Sequence, residues 1–138
     1  MKIVLRVRVE VPVHPTESAA KVRLACLNVF PDLAFAEEGE VLVGTGEDVE
    51  HLRDLLRTQR IRDTARDVLI RGRREGVVRF ALNKQAAYAG RVNFGSGGPL
   101  GDLRVAIEAE DTDALIDRVA ESTVGHRLTG PRGRTGGT

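Results

Sequence analysis

Ile3, Leu5, Val7, Val9, Val11 and Val13 alternate with Arg6, Arg8, Glu10 and Pro12. A period of two over this length predicts a long strand with one buried face. His14-Pro15-Thr16 breaks it. Ser18 is placed to cap a helix from Ala19 to Phe30, with Val22, Ala25, Cys26 and Val29 inward, and Pro31-Asp32 stops that helix. Leu33–Ala36 and Val41–Thr45 flank Glu37-Glu38-Gly39-Glu40, a hairpin pattern. A helix capped by Asp48 follows, with Val49, Leu52, Leu55, Leu56 and Gln59 on one side. A second helical piece over Arg62–Arg71 ends at Gly72, a good residue just past a helix. Val77–Leu82 alternates as a strand, Lys84–Tyr88 reads as one helical turn, and Arg91–Phe94 is short and extended. Gly95–Gly101 is a flexible loop. Leu103, Val105, Ile107 and Ala109 mark the last strand, and Asp111 or Asp113 caps a final helix carrying Leu115, Ile116 and Val119.

Helices and mostly antiparallel strands in this order predict a single α+β domain: one sheet with helices packed on it. The 138 residues suffice for one sizeable core. Residues 1–122 form the expected domain. Residues 123–138 are Gly- and Arg-rich with almost no apolar content, and are expected to be disordered. No apolar run approaches the roughly 20 residues that span a bilayer, so no membrane partner is expected. Arg6, Arg8 and Glu10 interrupt the N-terminal apolar pattern and argue against a signal peptide, which places the protein in the cytoplasm. The single cysteine, Cys26, rules out an internal disulfide and reads as a buried, inert thiol.

Charge changes this picture more than composition does. Between His51 and Phe94 lie eleven Lys/Arg and four Asp/Glu, a local balance of +7, whereas residues 1–50 carry −4 and residues 95–138 carry −2. A domain that gathers positive charge in one stretch suits an anionic partner, most commonly a nucleic acid. Arg53, Arg57 and Arg60 are spaced four and three apart, so they share one edge of a helix. Arg62 and Arg66 repeat the spacing, and Arg71, Arg73 and Arg74 follow. Like charges four apart disfavour a helix by a few tenths of a kcal/mol per pair. Folding therefore does not ask for this arrangement, whereas phosphates along a backbone favour it, because each guanidinium gives two-pronged hydrogen bonds to phosphate oxygens. The bland alternative is a solvated face partly neutralised by Asp54, Asp63 and Asp67.

A second constellation is Asn83-Lys84-Gln85 with Tyr88, Arg91 and Asn93. Amide side chains suit base edges and ribose hydroxyls, and Lys84 supplies a point charge. The competing reading has Asn83 and Asn93 capping turns. Gly44-Thr45-Gly46 has the shape of a phosphate-binding turn, but it lacks the remaining residues of a dinucleotide fingerprint or a P-loop and reads as a tight turn. The three histidines are isolated, and neither metal-ligand spacing nor a nucleophile elbow is found, so no catalytic residue, metal or cofactor is expected. Four Phe, one Tyr and no Trp leave little for stacking on single-stranded bases.

Several ordered motifs resemble a known family. Leu55-Leu56-Arg57-Thr58-Gln59-Arg60-Ile61-Arg62-Asp63-Thr64-Ala65-Arg66 is similar to the most recognisable segment of the archaeal UPF0201 proteins, described as predicted RNA-binding. Val13-His14-Pro15-Thr16-Glu17, Leu27-Asn28-Val29-Phe30-Pro31, Phe80-Ala81-Leu82-Asn83-Lys84-Gln85-Ala86-Ala87 and Gly90-Arg91-Val92-Asn93-Phe94 match its other marks. The resemblance covers about residues 3–121. It implies a fold like that of ribosomal protein L5 and kinship with a predicted RNA-binding group linked to the archaeal exosome. It brings no catalytic residues.

Together these readings predict a non-enzymatic domain that binds structured RNA, with ribosomal or another stable RNA as the expected partner. Arg53, Arg57, Arg60, Arg62, Arg66, Arg71, Arg73 and Arg74 would grip phosphates, with Asn83, Lys84, Gln85, Tyr88 and Arg91 reaching sugars or bases. The alternative is a protein-interaction module, a homodimer or a component of a larger ribonucleoprotein assembly, that uses the same basic surface. A smaller place is left for an enzyme acting on RNA or a nucleotide.

Overall fold

A computed structural model describes residues 4–95 and 101–122. The elements are β1 (Leu5–Pro12), α1 (Ala19–Leu27), β2 (Ala34–Glu38), β3 (Val41–Gly46), α2 (Glu50–Thr58), α3 (Arg62–Arg71), β4 (Arg73–Arg74), β5 (Val77–Asn83), α4 (Lys84–Tyr88), β6 (Asp102–Ala109) and α5 (Thr112–Val119). The strands form one sheet in the order β2-β3-β1-β6-β5-β4. Every pairing is antiparallel, as expected for the α+β class. The long alternating strand β1 lies in the interior of the sheet, between β3 and β6, because its inward valines are flanked on both sides by equally apolar strands.

Alternation decides which face is covered. Val7, Val9 and Val11 on β1, Leu103, Val105 and Ile107 on β6, and Val78, Phe80 and Leu82 on β5 are buried. They form one core with Val22, Ala25 and Cys26 of α1, Leu52 and Leu56 of α2, Ala65 and Leu69 of α3, and Leu115, Ile116 and Val119 of α5. The helices thus share one side of the sheet. On the other side Arg6, Arg8, Arg79, Arg104 and Glu108 are exposed. Burial pushes the Cys26 thiol up to about 12, in keeping with an inert core cysteine.

Two local features depart from expectation. The first is β4, which forms because Glu75 (φ 51°) and Gly76 (φ 80°) both take the left-handed conformation of a two-residue hairpin turn into β5. The second is Gly72. A Cβ there would lie 1.9 Å from the carbonyl oxygen of Arg79, whose amide donates to the Gly72 carbonyl at 2.9 Å. Close backbone approach between the end of α3 and β5, more than helix termination, is what demands glycine. The loop expected over Gly95–Gly101 and the tail expected over residues 123–138 lie mostly or wholly outside the described residues.

Candidate nucleic-acid interface

Two arginines of α3 have partners that lie far along the chain. Arg62 pairs with Glu121 at 3.5 Å and Arg66 with Asp117 at 2.7 Å. Arg73 pairs with Asp113. Asp113, Asp117 and Glu121 recur every fourth residue along and just beyond α5, so they meet the arginine row as a ladder between two packed helices. Arg66 also donates to the carbonyl of Ala120 at 3.0 Å, a favourable place for a cation at the end of a helix. Arg71 pairs within its own helix with Asp67. The expectation that folding does not ask for this spacing is therefore corrected: α5 supplies the complementary row. Arg62, Arg66, Arg71 and Arg73 are engaged with carboxylates and do not form a continuous free stripe with α2.

The end of α2 is different. Arg53 is half-buried, Arg57 is exposed and Arg60 is exposed. Arg57 makes only an exposed contact to Asp54 at 3.3 Å. Arg60 lies beyond the helix, not on its edge. Its amide donates to the Arg57 carbonyl at 3.1 Å, and the next amide, of Ile61, donates to the Leu56 carbonyl at 3.0 Å. This is the Schellman arrangement, with Arg60 at the left-handed position (φ 58°) that glycine usually fills. Immediately before it, the Gln59 amide grips one residue of a distant segment: Nε2 donates to the Val92 carbonyl at 3.0 Å, and Oε1 accepts from the Val92 amide at 2.8 Å. The clamp joins the end of α2 to the segment that carries the exposed Arg91. Among the described residues Arg53, Arg60, Arg74 and Arg91 form no ion pair, and two of them, Arg53 and Arg60, belong to α2 and its C-terminal end.

The Asn83–Tyr88 segment is a structural knot in which Asn83, Lys84 and Tyr88 are spent on internal hydrogen bonds. Asn83 Oδ1 accepts from the Ala86 amide at 2.8 Å and caps α4. The Lys84 side chain is only 1% exposed and that of its partner Glu17 7%. The ammonium donates to Glu17 Oε1 at 3.0 Å and to the Pro12 carbonyl at 2.8 Å. Tyr88 donates its hydroxyl to Glu17 Oε2 at 3.4 Å, and the His14 amide donates to Glu17 Oε1 at 2.9 Å. Burial alone pushes the Glu17 carboxyl up, but the His14 amide and the Lys84 ammonium outweigh it and hold it below its ordinary value. Burial and the Glu17 charge push the Tyr88 phenol up. Gln85 is the one member of Asn83-Lys84-Gln85 that is exposed.

The glycine turn is closed to phosphate. Asp32 Oδ2 accepts from the Glu47 amide at 2.8 Å, and a Cβ on Gly46 would meet the same carboxylate at 2.4 Å. An anion already occupies the turn, in agreement with the tight-turn reading.

Charge density along the chain missed the uncovered sheet face. Arg6 and Arg8 on β1, Arg79 on β5 and Arg104 on β6 share it, although the last two lie far from the first two in sequence. The available signal was alternation: each stands between two buried apolar neighbours or next to one. Nor did the sequence reading give Gln59 and Glu17 the anchoring roles they hold.

Comparison with known proteins fits this fold. A family model described as RNA binding matches residues 6–110. The chain is 43% identical to a UPF0201 protein of Methanothermobacter thermautotrophicus, over 83% of this chain and 90% of that one. It is 40% identical to a UPF0201 protein of Thermococcus onnurineus, over 85% and 92%. The crystal structure of a UPF0201 protein from Methanococcus jannaschii superimposes with a TM-score of 0.79 at 40% identity, covering 87% of this chain and 96% of that one. A crystal structure of another UPF0201 protein gives 0.81 at 33% identity, covering 86% and 94%. The chain belongs to the UPF0201 family, and two solved structures of that family share its fold.

Proposed function

We propose that this protein is a non-enzymatic RNA-binding domain that holds the phosphate backbone of structured RNA at the C-terminal end of α2, through Arg57, Arg60 and Arg91 with Arg53 behind them. The observation that carries the reading is Arg60. A side chain at a left-handed backbone position costs about 1 kcal/mol or more, and this position sits at a helix end where glycine would relieve the cost. Strained positions that hold a charged, exposed side chain point to a function for that side chain. The family model described as RNA binding supports the same partner. The Arg57–Asp54 contact does not stand in the way, because an exposed pair of this kind is worth at most about 1 kcal/mol and a phosphate can displace the carboxylate. Arg62 and Arg66 of α3 serve mainly to dock α5.

The test is a salt titration of binding to a labelled RNA hairpin. Replacing Arg57, Arg60 and Arg91 together by Glu should leave the circular dichroism spectrum unchanged. It should weaken affinity and reduce the log–log salt slope by about 2, since each lost phosphate contact removes roughly 0.7 to 0.9. Unchanged affinity in that variant would remove the assignment. The RNA should be recovered uncut.

A further inference from the structure

We propose that the face of the sheet on which no described helix packs is a second docking surface for the same RNA backbone; this rests on the RNA-binding reading above. Register places the residues. Thr45, Arg8, Ala106 and Arg79 form one row across β3, β1, β6 and β5. Val43, Glu10, Arg104 and Ala81 form the next row. Adjacent strands lie about 4.8 Å apart and same-face residues on one strand about 7 Å apart. Arg8 and Arg79 therefore stand about 10 Å apart with Ala106 between them, and Arg104 rises from the neighbouring row beside Ala81.

Ala81 and Ala106 give this patch a low floor, and three guanidinium groups surround it. Arg8, Arg79 and Arg104 are all exposed. The one carboxylate in the two rows is Glu10, whose Oε2 accepts from Arg8 Nε at 3.0 Å. Arg79 and Arg104 form no ion pair among the described residues. Glu108 lies one row away, opposite Arg6 and Val77, and Asp102 lies one row away on the other side, opposite Asn83. The local excess of positive charge around small side chains matches a phosphodiester backbone lying across the strands.

Chemistry selects backbone over bases and RNA over a second copy. None of the residues in these rows is aromatic, so the aromatic platforms of single-strand readers are absent from them. A two-fold contact between copies sets a patch against its own equivalent, which here would bring arginine rows face to face, and like charges at an interface are costly.

The discriminating experiment compares R79A/R104A with the R57A/R60A/R91A variant of the α2 end. Both are titrated with the labelled RNA hairpin across a KCl series, and their mass is followed by light scattering. We expect R79A/R104A to remain folded with unchanged mass and to lose about 1.5 from the log–log salt slope, while R79K/R104K retains most of it. If wild-type protein binds no RNA, both proposals fall. If the α2-end variant weakens binding and R79A/R104A keeps the full wild-type slope, the sheet-face proposal alone is overturned. A change in mass on R79A/R104A substitution overturns it as well, because the face would then serve self-association.

Discussion

Nζ of Lys84 lies 3.0 Å from Oε1 of Glu17, with both side chains almost sealed from solvent, so a lysine inside a basic stretch of sequence works as an internal fastener. The pair ties the end of β1 and the start of α1 to α4. Removing one partner leaves a buried charge without compensation, which costs about 3–5 kcal/mol, whereas an apolar replacement of the whole pair is far milder. Lys84→Met should therefore lower the unfolding free energy by that amount in urea melts. Adding Glu17→Leu to Lys84→Met should restore much of it. A loss below about 1 kcal/mol in the single variant would show that the pair is solvated.

The same cluster sets a pH dependence at both ends of the scale. The Glu17 carboxyl is held below its ordinary value of 4.5, so its contribution is present above that value and is lost as pH falls below it. The Tyr88 phenol is raised above its ordinary value of 10.0. Its contribution is present below pH 10 and is lost as pH rises through the folded-state value. Thermal melts should show Glu17→Gln flattening the acid limb and Tyr88→Phe flattening the alkaline limb. An unchanged acid limb in Glu17→Gln would place the acid sensitivity elsewhere.

The Gln59 amide spends both its donor and its acceptor on Val92. Gln59→Glu keeps the size but turns the donor into an acceptor that faces the Val92 carbonyl. A buried or half-buried polar group left unmatched costs about 1–3 kcal/mol. The variant should be less stable by that margin in denaturant. Its RNA affinity should fall although every arginine is still present, because the end of α2 and the segment carrying Arg91 are no longer tied together. Lost stability with full affinity would mean that the clamp does not organise the binding surface.

Arg60 offers a trade-off between stability and function. Arg60→Gly relieves the left-handed backbone and should stabilise the protein by about 0.5–1 kcal/mol. The same change should weaken RNA binding and reduce the salt slope by about one phosphate contact. Differential scanning calorimetry and the KCl titration read the two effects separately. A variant that is both more stable and equally tight would show that Arg60 has no part in binding.

Much of the architecture was legible along the chain because it is written in local periodicity. The alternation from Leu5 to Pro12 and from Val77 to Leu82, the cap at Asp111 and the single turn at Lys84–Tyr88 all follow from which residues must be inward and which backbone groups need a partner. The motifs that resemble the UPF0201 family were legible too, and several of them fall on joints of the fold: Glu17 with Lys84, Asn28 with the end of α4, and Gln59 with Val92.

What the chain could not state by itself is who meets whom across long loops. Arg62 and Arg66 look like a phosphate row until Asp117 and Glu121 of the α5 region are brought against them. Lys84 looks like a free charge until β1 and α1 close over it. Arg8, Arg79 and Arg104 look unrelated until antiparallel register sets them on one face. Sequence determined the periods, the caps and the sign of each charge, because those depend on neighbours within a few residues. Only tertiary packing decided which charges are neutralised, because ion pairing acts over a few ångströms of space and takes no account of distance along the chain.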